Sequence, residues 1–86
     1  MNVKLFATAA VAVCALSPSA FADAGSSDCS RLSRQVTVAL DANGDSPNIR
    51  VAQIEASNGR TLCSANEFDK GVAHYQKALD LLGQAH

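Results

Sequence analysis

The sequence predicts an all-α fold: a small domain of three antiparallel helices joined by one disulfide. Three observations predict it. Apolar residues recur at intervals of three and four along the first and third of three segments, the spacing that gathers side chains on one helical face. Between the first two segments lies DANGDSPN, Asp41 to Asn48, dense in turn-forming residues. Two cysteines, Cys29 and Cys63, fall where a hairpin of the first two helices would bring them to the same end.

The first residues of the 86-residue chain do not enter the fold. One cation, Lys4, precedes an apolar run from Leu5 to Leu16, a break at Ser17 and Pro18, and Ala20 and Ala22 flanking Phe21. These are the three regions of a secretory signal peptide, residues 1–22. The run is shorter than the roughly 20 apolar residues that cross a bilayer, and Cys14 lies inside it, not at a lipobox. The style of the leader fits Gram-negative export. The expected location is therefore periplasmic or secreted, with no membrane attachment after cleavage. Residues 23–86 then make one small domain, of a size that buries too little surface to be comfortably stable alone.

Export bears on the cysteines. An even pair in an oxidising compartment reads as a bridge, and closing a loop of about 35 residues is worth roughly 4 kcal/mol in the chain-entropy model. The spacings of redox, haem and zinc motifs do not occur. Charge excludes another class. The formal net charge is −1, and Arg31, Arg34, Arg50, Arg60, Lys70 and Lys77 are scattered among Asp and Glu, so no basic stripe offers itself to nucleic acid.

Asp23 to Ser27 is small and polar, as a mobile terminus would be, and Ser26, Ser27 or Asp28 can cap the first helix. That helix, about residues 29–41, is carried by Cys29, Leu32, Val36 and Leu40. Val36, Val38 and Leu40 also alternate as a strand would. Arg31, Leu32, Arg34 and Gln35 are good helix formers, and the helical period holds over a longer stretch than the alternation does. The second helix, about 47–65, takes Ser46 as its cap and Pro47 as its first residue, with Asn58-Gly59 as its weak point. Asn66 interrupts. The third, about 67–82, has the clearest pattern, Phe68, Val72, Tyr75, Leu79 and Leu82, and Gly83 stops it.

The hairpin makes a geometric check possible. Cys29 lies 12 residues before Asp41 and Cys63 lies 15 after Asn48. At about 1.5 Å per residue these runs measure roughly 18 and 22 Å, so both cysteines arrive at the same end of the hairpin and a bridge between them is geometrically reasonable.

Gly59 stands where a small residue, Leu62 where a large apolar one, and Phe68 where an aromatic opening the second helix are found in a tetratricopeptide repeat. Gly71 takes the place of the alanine at the helix crossing, Tyr75 that of the second aromatic, and Tyr75-Gln76-Lys77-Ala78-Leu79 is a string common in that family. On these residues the stretch from Gly59 to Leu81 resembles a single TPR-like helical hairpin. The resemblance implies that Gly59, Leu62, Phe68, Gly71, Val72, Tyr75, Ala78 and Leu79 pack the two helices. It also implies a protein-interaction or structural module that binds a protein or peptide, or a second copy of itself. Glu55, Asn58, Asn66 and Gly83 depart from the pattern, so the second helix of the pair matches well and the first poorly. Ala39-Leu40-Asp41 echoes Ala78-Leu79-Asp80, as a remnant of a preceding repeat would.

Other sites read blandly. Asp41-Ala42-Asn43-Gly44-Asp45 resembles the start of a calcium-binding EF-hand loop, but Ser46 replaces the glycine and Ala52 the bidentate glutamate, leaving a solvated turn. His74, beside Lys70 and Lys77 at helical spacing, is expected on the solvated face. Glu67, Asp69 and Asp80 read as helix-end charges. No Ser-His-Asp or Cys-His-Asp set can be assembled, so the chain reads as a non-enzyme with no cofactor. The alternative is a small metal-binding or redox-active protein.

Overall fold

The computed structural model describes residues 24–84; the leader, residues 1–22, lies outside the described residues. The order is α1, Ser26–Ala42; α2, Ile49–Ser64; and α3, Phe68–Leu81. The fold is all-α, with three helices, and Cys29 is bonded to Cys63 across a Cα–Cα distance of 6.1 Å. That bridge joins the first turns of α1 to the last turn of α2, the end of the hairpin opposite the Asp41–Asn48 loop.

α1 begins three residues earlier than its apolar pattern suggests. Gly25 is the cap, and Asp28, in the first turn, reaches back so that its Oδ2 accepts the Gly25 N–H at 3.0 Å. Ser26 and Ser27 are thereby helical and not part of a mobile terminus. The Gly25 N–H, and then the Arg31 guanidinium at 3.3 Å, hold the Asp28 carboxyl below its usual value of 3.8. Ala24 is tied as well, its N–H donating to Asp69 Oδ1 at 2.8 Å, so Asp69 fastens the start of α1 to the start of α3.

α2 begins at Ile49, not at Pro47. The reason is a separate turn: Ser46 Oγ accepts the Asn48 N–H at 3.1 Å and Ser46 O accepts the Ile49 N–H at 3.1 Å, so Asn48 becomes the helix cap. The Asn48 side-chain amide donates to Leu81 O at 3.0 Å, pinning this loop to the end of α3.

The C-terminal ends of α2 and α3 close the same way. At α3, the Gln84 N–H bonds Leu79 O at 2.8 Å and the Gly83 N–H bonds Asp80 O at 3.0 Å, with Gly83 at φ 74°. At α2, the Glu67 N–H bonds Leu62 O at 2.9 Å and the Asn66 N–H bonds Cys63 O at 3.0 Å, with Asn66 at φ 64°. These paired bonds satisfy the last carbonyls and need a left-handed residue after the helix, which glycine adopts freely and asparagine at some cost.

The core is Leu32, Val36 and Ala39 from α1, Ala52 and Ala56 from α2, and Tyr75, Ala78, Leu79 and Leu82 from α3 and its cap. α2 buries small residues, Ala52, Ala56 and Gly59, while two of its larger ones, Val51 and Ile54, are 49% and 59% exposed. That inversion lets α3 approach closely. A Cβ on Gly59 would lie 3.1 Å from Gly71 O, and one on Gly71 would lie 3.0 Å from Gly59 O and press on Cys63 Sγ. The two glycines therefore face each other at the tightest part of the crossing, beside the disulfide.

Candidate functional site

α1 packs against both members of the close α2–α3 pair, and a groove opens along each flank of α1. α1 contributes buried residues to both, Ala39 to one and Cys29 to the other, and Arg34 borders the two.

The first groove, of about 410 Å³, lies between α1 and the C-terminal end of α3. Val38, Ala39, Ala42 and Leu79 form its apolar floor, with Arg31 and Arg34 on its rim. Val38 is 67% exposed, the most solvent-facing large apolar side chain of α1.

The second groove, of about 420 Å³, lies between α1 and α2 over the disulfide. Its floor is Cys29, Cys63, Phe68 and Tyr75, and its walls carry Ser26, Ser30, Ser33, Ser64, Arg34 and Arg60. No acidic residue lines it. Tyr75 reaches this floor because Gly59 has no side chain: a Cβ there would meet Tyr75 Cδ1 at 2.8 Å and Cε1 at 2.9 Å. Glycine thus makes the slot through which the ring crosses from α3 toward α1.

Of the residues singled out by sequence, Cys29 and Cys63 are joined. Gly59, Gly71, Tyr75, Ala78 and Leu79 are buried, while Leu62, Phe68 and Val72 are half-buried at the edges of the pair. His74 differs from its expected place on the solvated face. It lies between α2 and α3, its Nδ1 2.6 Å from Glu55 Oε1, with both side chains largely covered. A lone helix gives no sign of this; the partner comes from across the crossing, at a position the repeat pattern would fill with an aromatic. Lys70 pairs instead with Glu67 at 3.1 Å.

The grooves themselves leave no mark in the residue pattern, because Arg34 and Arg60 belong to different helices whose relative roll the sequence does not state. Among the described residues, no three His, Cys, Asp or Glu side chains converge as metal ligands, and no helix is long and apolar enough to cross a membrane. Set against known protein families, characterised proteins and solved structures, the chain matches none of them.

Proposed function

We propose that this is an exported, disulfide-bonded interaction module of the TPR-like kind, which holds an acidic peptide segment of a partner protein in the groove between α1 and α3. The observation that carries the reading is that groove. Its floor is apolar, with Val38 at 67% exposure, and no acidic side chain lines it; on its rim stand Arg34, which makes no ion pair with a described residue, and Arg31, whose charge is shared with Asp28. Apolar side chains of a bound segment would cover Val38 and Ala42, and acidic ones would meet the arginines. The groove is within the size range of specific sites, roughly 300–1,000 Å³. The disulfide supports export, since such bonds persist in oxidising compartments. The Gly59–Gly71 crossing and the Tyr75 ring packed into it support the TPR-like hairpin.

The test is selection from a random displayed-peptide library against the oxidised protein. The reading expects enriched sequences that combine apolar residues with Asp or Glu, and binding weakened roughly tenfold by Val38→Ser, which removes most of one buried valine's contribution. Enrichment of basic peptides, or equal binding to Val38→Ser, would contradict it. So would a stable dimer, detected by sedimentation, that Val38→Ser dissociates, because the groove would then be covered by a second copy.

A further inference from the structure

We infer that the groove between α1 and α2 is a binding site for a phosphate-class oxyanion, held by Arg34, Arg60 and the Tyr75 hydroxyl. The site is separate from the peptide groove on the other flank of α1, though Arg34 stands on the ridge between them.

Three observations carry it. The first is charge: Arg34 and Arg60 reach the groove from facing helices, neither makes an ion pair or side-chain hydrogen bond with a described residue, and no carboxylate lines the walls. Arg31 and Lys70, by contrast, each have an acidic neighbour. The second is Tyr75, only 2% exposed. Its hydroxyl bonds to no described residue, yet among the described residues no polar side-chain atom is sealed from solvent without a partner. The hydroxyl therefore keeps some contact with solvent, and Tyr75 lines the groove. A phenol buried to this degree ordinarily finds a hydrogen-bond partner; this one lines the same groove as the two unpaired arginines.

The third is the chemistry of the remaining wall, where Ser30, Ser33 and Ser64 add hydroxyls. Every polar side chain facing the groove can donate a hydrogen bond. A tetrahedral oxyanion offers acceptors in several directions at once, and the guanidinium fork matches two of its oxygens. A single planar carboxylate would leave part of this donor set unused.

The test is titration of the isotope-labelled, oxidised protein with inorganic phosphate at constant ionic strength, chloride being the balancing anion. Saturating shifts are expected at amides of residues 30–34 and 60–64. Arg60→Gln should weaken binding by roughly tenfold or more, as loss of a hydrogen bond from a charged donor does, and Tyr75→Phe by roughly threefold to tenfold, as loss of a neutral one does. Val38→Ser should leave phosphate affinity unchanged, which keeps this site's fate distinct from that of the peptide groove. A parallel titration with a phosphoserine peptide separates the two sources: tighter binding than inorganic phosphate assigns the group to a modified ligand, and equal binding assigns it to the free anion. Shifts that fail to saturate, or an affinity unchanged in either Arg60→Gln or Tyr75→Phe while the variant keeps its melting temperature, would overturn the inference.

Discussion

Gly71→Ala is the sharpest probe of the α2–α3 crossing, because two effects of known size oppose each other there. Alanine is the better helix former by about 1 kcal/mol, so an open site would gain stability. At Gly71 the added Cβ would sit 3.0 Å from Cys63 N and 3.0 Å from Gly59 O, and closer still to Cys63 Sγ. Two of these neighbours are backbone atoms, and the third is fixed by its bond to Cys29. None can swing aside, so the cost belongs near the upper end of the roughly 1–3 kcal/mol of overpacking. The net expectation is a loss of about 2 kcal/mol, or a fall in melting temperature of roughly 8–16 °C for a domain of this size. Thermal unfolding of the oxidised protein followed by far-UV circular dichroism reads this directly. Gly44→Ala is the control, since a Cβ there meets nothing within 4 Å and the change should stay within about 0.5 kcal/mol. A Gly71→Ala variant that melts at or above the wild-type temperature would refute the close crossing.

Asn66→Gly should stabilise by about 0.5–1 kcal/mol, because φ is 64° there and glycine adopts the left-handed cap without a Cβ penalty; an equal or lower denaturation midpoint would count against it. The double variant Cys29→Ala/Cys63→Ala should lose roughly 4 kcal/mol relative to the oxidised protein, the worth of a loop of this length, as read from denaturant midpoints. Asp28→Asn should destabilise at neutral pH. The folded Asp28 carboxyl is held below 3.8, so its contribution is present above that value and is lost as pH falls through the lower folded pKa. The stability gap between wild type and variant should accordingly be constant near pH 7 and close in strong acid; a gap that persists there would contradict the Gly25 and Arg31 interactions.

α1 and α3 are legible in the sequence because Leu32, Val36, Tyr75 and Leu79 carry the helical period with large side chains, whereas α2 is announced only by Ser46 and Pro47 ahead of it. The hairpin arithmetic adds the disulfide, since it needs only residue counts and the helical rise. Each feature that stays hidden has a physical cause. The α1 start depends on Asp28 reaching backward to Gly25, which displaces the three serine and aspartate caps open to it in the sequence. The α2 start shifts because Ser46 serves a turn ahead of the helix. The roll of α2 is the larger gap: its buried face is made of Ala52, Ala56 and Gly59, so hydrophobicity points toward Val51 and Ile54, on the wrong side. With that roll unknown, neither the Glu55–His74 contact nor the meeting of Arg34, Arg60 and Tyr75 can be read from spacing, which describes one helix at a time.

Export and closure of the chain by a single bridge are the premises of the proposed function, and intact mass of the exported protein without reductant tests both most directly. The prediction is a chain that begins at Asp23, weighs two hydrogens less than its sequence, and yields a peptide joining Cys29 to Cys63 on digestion. A mass showing two free thiols, or a chain that retains the leader, would contradict it.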